Sequence, residues 1–299
     1  LNLVVGISGE LSLGHAGFMG VGAFAGIVVA ALLQDMIPND FLRLLCAMFG
    51  GGLIAGVAGV IIGIPVLRLR GDYLAIVTLA FGEILKNILA NLYIGKDVEG
   101  IAQYKSWFTL ELAEGGKMIL SGPLGATGVD KIATFFMGFL LILFTLFVVL
   151  NLINSKEGRA IKAVRDNRIA AEAMGINITK YKMMAFVTAA VLAGMAGALY
   201  GLSMATLLPT KFSFNESINV LVFVVLGGIG NIPGSVVSAA ALTILPEKLR
   251  FLQNSRMLAY AVLLILAMLL SNNPFLKSLW KKLIPWRKNL PSGEGEMRS

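Results

Sequence analysis

The sequence predicts an all-α fold, a polytopic helical membrane protein with glycine-rich broken or re-entrant helices and one short cytoplasmic helix. Of the 299 residues, 57% are hydrophobic and only 14% are charged, whereas soluble domains average about 25% charged residues. Several apolar runs approach or exceed the roughly 20 residues that a helix needs to cross a bilayer. Lys and Arg cluster in the connection 155–182 between two such runs, which is typical of a cytoplasmic face.

The apolar runs follow one another along the chain with short connections, apart from one long polar loop. We predict spanning helices at 15–33, 42–67, 73–92, 132–153 and 183–203, a run broken in its middle at 218–245, and a short last span at 257–270. A transmembrane domain is therefore predicted over 1–272, and a basic tail over 273–299. The chain begins inside an apolar stretch, so we expect further membrane sequence upstream.

The distribution of charged residues predicts the topology. The connection 155–182 holds seven Lys and Arg, and the tail after Asn273 holds six, so both are predicted to be cytoplasmic. The loop 93–130, with three Lys against five Asp and Glu, is then extracytoplasmic. Two cytoplasmic segments require an even number of crossings between them, so 218–245 is predicted to be a re-entrant hairpin or two short helices. The same two basic segments account for most of the net charge of +8, so it does not indicate nucleic-acid binding.

A short helix is predicted over 168–174, inside the connection 155–182. Asp166 or Asn167 can cap its start, and Gly175 can end it. Two turns of helix are marginal in water unless another surface buries one face. The apolar positions that share faces are Ile169 with Ala173, and Ala170 with Met174. This half-apolar helix on the cytoplasmic side predicts a cytoplasmic protein partner.

Several chemistries lack the residues they need. Cys46 is the only cysteine and His15 the only histidine, so neither an intrachain disulfide nor a recognisable metal site is predicted. No GxxxxGK[ST] phosphate-binding loop occurs, so we do not expect this chain to hydrolyse ATP. A catalytic site is therefore not predicted.

Two glycine-rich breaks, 6–17 and 227–234, interrupt apolar sequence near opposite ends of the chain. Non-helical backbone at membrane depth persists only where protein buries it or where it lines a wet cavity. Paired breaks point to the substrate route of a transporter, and the helix start that follows each break can bind a carboxylate. Interfacial turns are the alternative. The candidate translocation-pathway residues are Ser8, Gly9, Ser12, His15, Gly228, Gly230 and Asn231.

Two further patterns lie inside the spans. Glu83, Lys86 and Asn87 are polar residues in the run 73–92, and an ionisable residue in a span is a functional candidate by default. We favour a structural pairing of Glu83 with Lys86. Small residues also recur four positions apart, and we favour packing within the chain over a seam between subunits. These pairs are Gly22/Gly26, Gly52/Gly56, Gly59/Gly63 and Gly197/Gly201.

Five stretches together resemble the LivM-type permeases of branched-chain amino acid ABC importers. They are NLVVGISGELSLGHAGFMGVGAF (2–24), GDYLAIVTLAFGEIL (71–85), GRAIKAVRDNRIAAEAMGIN (158–177) with AFVTAAVLAGMAGALYG (185–201), and VLGGIGNIPGSVVSAA (225–240). The resemblance covers most of the chain in the same order. It implies a permease subunit in the cytoplasmic (inner) membrane of a prokaryote, which translocates branched-chain or related amino acids.

The resemblance also implies partners and roles. The partners are a homologous second permease, two cytoplasmic ATPases that carry ATP and Mg²⁺, an extracytoplasmic substrate-binding protein and the lipid bilayer, with no cofactor in this chain. The short helix is then the coupling helix that docks on an ATPase, with Ile169, Ala170, Ala173 and Met174 in the groove, and Arg165, Arg168 and Glu172 beside it. The alternative is a secondary transporter or channel that works without ATPases, although the several intramembrane acids or histidines expected of one are sparse.

Overall fold

The computed structural model describes residues 1–69, 71–96, 102–103 and 117–248. Within them the chain forms mainly helices: α1 His15–Leu32, α2 Asp40–Val66, α3 Asp72–Ala90, α4 Phe135–Asn154, α5 Lys156–Asp166, α6 Arg168–Ala173, α7 Ile178–Gly201, α8 Phe214–Gly227 and α9 Ile232–Lys248. By length and composition, five of the described helices could cross a membrane: α1, α2, α3 from Tyr73, α4 and α7. These five agree with the predicted spans to within a few residues.

α7 begins five residues earlier than the apolar run predicted. The side chain of Asn177 accepts a hydrogen bond from the N–H of Lys180 (3.1 Å), which caps the helix before its apolar part begins. The polar residues 179–182 therefore form the first turns of α7 and do not belong to a loop. α5 was not predicted, because its residues are mostly charged. It nevertheless buries Ile161 and Val164 on one side.

α1, α2 and α7 pack closely through small residues. A methyl group added at Gly22 of α1 would lie 2.2 Å from Cα of Gly194 in α7. One added at Gly194 would lie 2.4 Å from Cβ of Ala55 in α2. The predicted glycines on these helices face neighbours in the same chain, which confirms packing within the chain.

The surface of the helices is strongly apolar. Phe135, Phe136 and Phe147 of α4 are 92%, 61% and 66% exposed, and Leu53 and Ile61 of α2 are 68% and 65% exposed. Such a surface would aggregate in water and is suited to lipid. Together with the five long apolar helices, it indicates an integral membrane protein.

A small antiparallel sheet covers the end of the bundle where α1 and α7 end and α2 begins. Its strands are β1 Tyr93–Lys96, β2 Ala102–Gln103, β3 Lys117–Ser121, β4 Ala126–Thr127 and β5 Thr206–Leu207, in the order β2-β1-β3-β4-β5. Leu120, Ala126 and Leu207 are buried and pack with Phe24 and Leu44 of the bundle. Strands β1 to β4 lie within the loop 93–130 that was predicted to be extracytoplasmic, and β5 lies in the connection after α7.

The chain divides into two compact units, Leu1–Ser235 and Val236–Ser299. Of the second unit, the structure describes residues 236–248, which form the C-terminal part of α9. The predicted last span at 257–270 and the basic tail at 273–299 lie outside the described residues.

Candidate functional site

The first glycine break connects a π-helical segment, Leu3–Ser8, to the start of α1. Gly9 adopts a φ of 75°, a left-handed conformation that glycine takes without strain. The N–H of Glu10 then donates to the carbonyl of Val4 (3.1 Å). Residues 9–14 form no helix, yet the side chains of Glu10 and Ser12 are buried. This stretch of irregular backbone is therefore enclosed by protein. Burial by protein is one of the conditions under which such backbone can persist at membrane depth.

The N-terminus of α1 is held by hydroxyl groups from two other helices. The N–H of Leu13 donates to Oγ1 of Thr78 in α3, and the N–H of Ala16 donates to Oγ of Ser217 in α8, both at 3.1 Å. Ser12 Oγ and His15 Nδ1 are buried beside them without a hydrogen-bond partner among the described residues. An unsatisfied buried polar atom costs about 1–3 kcal/mol, so this junction is a candidate for function.

The second break separates α8 from α9. Gly228 and Gly230 have φ values of 94° and 81°, and the N–H of Asn231 donates to the carbonyl of Gly228 (2.9 Å). α9 begins at Ile232, inside the predicted break 227–234, because the ring of Pro233 fixes a φ that suits the first helical turn. The tip of the turn, Ile229, is 61% exposed.

Asn2 joins the two breaks. Its Nδ2 donates to the carbonyl of Asn231 (3.1 Å) and to Oγ of Ser235 (2.9 Å), and its Oδ1 accepts from the N–H of Gly230 (2.9 Å). The backbones meet at Gly6, where an added methyl group would lie 2.3 Å from the nitrogen of Gly230. Of the candidate pathway residues, Gly230 and Asn231 thus lie against the segment that ends at Ser8. Ser12 and His15 form a separate cluster at the start of α1.

The predicted short helix is present as α6, Arg168–Ala173, and follows α5 directly. Oδ1 of Asn167 accepts from the N–H of Ala170 (3.0 Å), so Asn167 is the cap and not Asp166. Gly175, at a φ of 79°, follows the helix. Ala171 is 5% exposed and packs with Val164 and Ile178. Ala171 is the one buried residue of α6 and therefore anchors this helix to α5 and to the start of α7.

The other face of α6 is open. Ile169 and Met174 are 81% and 82% exposed, and Ala170 and Ala173 are exposed beside them. Glu172 is exposed too, whereas Arg168 is half-buried. Large exposed apolar side chains in a polar segment are typical of an interaction surface.

α5 and α7 contact the first break directly. Nη1 of Arg165 donates to the carbonyl of Gly6 (2.8 Å), and its Nε and Nη2 donate to Asp166. Nζ of Lys182 pairs with Oε1 of Glu10, and both side chains are only 11% exposed. The resemblance placed Arg165 beside the docking groove, and in the structure its side chain reaches the break. Two cationic side chains of the connection 155–182 thus contact the segment that precedes α1.

Glu83 has a structural role. It pairs with Lys86, and its Oε1 accepts from the N–H of Phe214 at the start of α8 (3.1 Å). The favoured pairing is therefore present, and it also fixes α8 to α3. Asn87 is exposed on α3, and its carbonyl accepts from Nδ2 of Asn91 (2.8 Å).

The sequence reasoning missed Asn2, Glu10, Lys182, Thr78 and Ser217. Glu10 could have been found, because it is the only Asp, Glu, Lys or Arg among residues 1–34 and an ionisable residue in apolar sequence is a functional candidate. Hydroxyl groups such as those of Thr78 and Ser217 are common in spans, so their pairing with the start of α1 could not be read from sequence. No cluster of three His, Cys, Asp or Glu residues suited to a metal occurs among the described residues.

Comparison with known proteins identifies relatives over most of this chain. A family model described as "Branched-chain amino acid transport system / permease component" matches residues 1–271. The chain is 38% identical over 231 residues to the high-affinity branched-chain amino acid transport system permease proteins LivM of Salmonella typhimurium and Escherichia coli. This match covers 74% of the chain and 53% of each relative, so the chain spans about half the length of these curated relatives.

A more distant relative comes from an archaeon. The probable branched-chain amino acid transport permease protein LivM of Methanocaldococcus jannaschii is 25% identical over 236 residues, which covers 71% of the chain and 68% of that protein. No solved structure matches the chain.

Proposed function

Because the chain belongs to the family of branched-chain amino acid transport permease components, we propose that it is a membrane-spanning subunit of an ATP-driven importer of branched-chain amino acids. It would act as a transport subunit and not as an enzyme. Its partners would be a homologous second permease, two cytoplasmic ATPases that hold ATP and Mg²⁺, and an extracytoplasmic substrate-binding protein. The complex would lie in the cytoplasmic membrane of a prokaryote. We expect no cofactor in this chain and no nucleic-acid partner.

The exposed face of α6 is the observation that carries the proposal. Ile169, Ala170, Ala173 and Met174 form a small apolar surface, and Asn167 and Ala171 hold the helix that bears it. A groove in an ATPase would bury this surface, and Arg168 and Glu172 would lie at its rim. Gly175 and Asp166 would set the two ends of the docking segment.

Movement of α6 has a direct route to the membrane segments. α5 reaches the first break through Arg165 and Gly6, and α7 reaches it through Lys182 and Glu10. Asn2 and Gly6 in turn contact the second break. We propose that closure of the ATPases shifts α6, and that these contacts carry the shift to both breaks as the spans alternate between outward and inward openings.

The breaks are the proposed translocation pathway. Ser8, Gly9, Ser12, His15, Gly228, Gly230 and Asn231 lie where irregular backbone meets helix ends, and Ser12 and His15 hold polar atoms without described partners. A conformation that opens this junction would offer those atoms to the substrate.

Cysteine labelling tests the pathway. In a background with Cys46→Ala, Ser12→Cys should react with a water-soluble thiol reagent in one nucleotide state of the complex and resist it in the other, because Ser12 is fully buried in this structure. Ala23→Cys, equally buried between α1 and α7, is the control and should not react in either state. Equal protection of Ser12→Cys in both states would reject the pathway.

Reconstitution tests the function as a whole. The full-length chain, the second permease, the ATPases and the binding protein are placed in liposomes and given a panel of amino acids with ATP. We expect uptake of leucine, isoleucine and valine that requires ATP and the binding protein, and that vanadate blocks. Uptake that persists without the ATPase subunits would instead establish a secondary transporter or channel.

A further inference from the structure

A small cavity lies at the end of the bundle that carries the sheet, far from α5 and α6. It has a volume of about 110 Å³ and opens between the end of α1, the start of α2 and the sheet. A cavity needs roughly 10–15 Å³ of volume on this measure to hold one water molecule, so this one has room for several groups of that size. Its lining is apolar in part, with Ile27, Ile119 and Leu202, and includes a charged wall formed by Arg43, Lys96 and Asp130.

The charged wall contains a buried guanidinium with spare hydrogen-bonding capacity. Arg43 is 6% exposed, and its Nη2 donates to Oδ1 of Asp40 (2.8 Å). Its Nε is buried and has no hydrogen-bond partner among the described residues. Asp40 is 66% exposed, so solvent screens this carboxylate. Arg43 therefore lines the cavity with a buried N–H group that no described residue accepts.

A carboxylate lies beside this cation. Oδ2 of Asp130 is 3.9 Å from Nη2 of Arg43 and accepts a hydrogen bond from Nε2 of Gln34 (3.0 Å). Lys96 is the other cation of the wall, and its Nζ donates hydrogen bonds to the carbonyl of Ala31 and to Oδ2 of Asp35. The wall thus presents a buried cation with an unused N–H group and a carboxylate side by side, in a lining that also contains apolar side chains.

We propose that this cavity binds a free α-amino acid with a short aliphatic side chain, a site that rests on the importer function proposed above. The carboxylate of the ligand meets Arg43, its ammonium group meets Asp130, and its side chain packs against Ile27, Ile119 and Leu202. The two charged groups of an α-amino acid are separated by one carbon atom, which suits two opposite charges on one wall. A simple anion would be repelled by Asp130, and a simple cation by Arg43, so the zwitterion fits best.

Equilibrium binding of tritiated L-leucine to the full-length complex in nanodiscs, without the binding protein, tests the site. We expect measurable binding to the wild type, weakened about tenfold by Asp130→Asn and by Arg43→Gln, because each removes a charge-assisted contact. Ala30→Leu fills the cavity without changing a charge and should weaken binding similarly, since Ala30 lines the wall. Lys131→Gln, an exposed neighbour outside the lining, is the control and should bind normally.

Two leucine analogues test recognition of the zwitterion. 4-Methylpentanoate lacks the ammonium group and 3-methylbutylamine lacks the carboxylate, so each should compete about tenfold less well than leucine. If Arg43→Gln does not fold, Asp130→Asn and Ala30→Leu carry the test, because Asp130 is 58% exposed and Ala30→Leu keeps Arg43.

Three outcomes would overturn the site: no leucine binding to the wild type, unchanged binding to both Asp130→Asn and Ala30→Leu, or an analogue that competes as well as leucine. Normal ATP-driven leucine uptake alongside any of these would leave the importer function standing. The absence of branched-chain amino acid uptake by the wild-type complex would reject the function itself.

Discussion

The two halves of α7 are built for different tasks. Its C-terminal half meets α1 and α2 through small residues whose backbones nearly touch, as at Gly194 and Gly22. Its N-terminal end meets the first break through an ion pair between Lys182 and Glu10. The first kind of contact depends on volume, and it leaves little freedom because close-packed groups cannot slide without clashing.

The second kind of contact depends on charge and can be exchanged. Arg165, Lys182 and Asn2 each reach the break regions through polar side chains, and Gly9 between them adopts a left-handed φ of 75°. We therefore expect α1, α2 and the C-terminal half of α7 to move as a rigid body, and α6 and the breaks to move relative to it. Three sets of substitutions separate these roles.

Ala173→Glu should have the largest effect. It places a carboxylate in the apolar surface of α6 that we propose an ATPase covers, and burying an unpaired charge is costly. Transport and transport-coupled ATPase stimulation should be lost, while membrane insertion of the chain is unchanged. Amino acid uptake and the ATPase rate of the reconstituted complex test the predicted losses, and the amount of the chain in the membrane tests insertion.

Ala163→Glu is the control for that variant. Ala163 is exposed on α5, outside α6, so the same substitution should leave uptake close to the wild-type rate. Equal loss in both variants would attribute the effect to added charge in the segment and not to the face of α6. Unchanged uptake by Ala173→Glu would remove the coupling role from α6.

We expect the next largest effect from substitutions of Glu10 and Lys182. Removing one member leaves the other charge nearly buried and unpaired, which costs about 3–5 kcal/mol. Glu10→Gln and Lys182→Gln should therefore each lower the thermal stability of the purified complex, whereas the double variant should recover most of it. If the pair transmits movement, the recovered double variant should still transport several-fold more slowly than the wild type.

Lys180→Gln is the matched control, because Lys180 is exposed two residues away on the same helix. It should change neither stability nor uptake. A double variant that regains full transport along with its stability would make the ion pair purely structural.

The sequence predicted the helices well and their contacts less well. The five long spans follow from uninterrupted apolar length, a property that each segment carries by itself. α5 was missed because most of its residues are charged, and only Ile161 and Val164 supply the apolar side that it buries. The early start of α7 was missed because Asn177 extends the helix into polar sequence.

In the candidate site, too, local features could be predicted from sequence and long-range contacts could not. Asn167 and Gly175 could be read from sequence, since a cap and a left-handed helix end are local features. The contact of Asn2 with Asn231 could not, because 229 residues separate them and no local pattern brings them together. The same holds for Arg43 and Asp130, which meet only once the sheet covers the end of the bundle.

Gly194→Ala should have the smallest effect of the three, and it acts through volume alone. The added methyl group would lie 2.4 Å from Cβ of Ala55 and 2.8 Å from the carbonyl oxygen of Gly51, so α2 and α7 have to separate. Overpacking of this kind costs about 1–3 kcal/mol. Gly138→Ala in α4 is the control, because its methyl group meets only Leu199, at an ordinary 3.6 Å, and alanine is the better helix former.

Thermal unfolding of the purified complex should therefore show a lower Tm for Gly194→Ala and an equal or higher Tm for Gly138→Ala. The residual folded complex of Gly194→Ala should keep its ratio of transport to ATP hydrolysis, because a rigid body that is merely weakened still moves as one. A changed ratio with an unchanged Tm would mean that the helix core itself shifts during transport, and the division of α7 into a fixed half and a moving end would then be wrong.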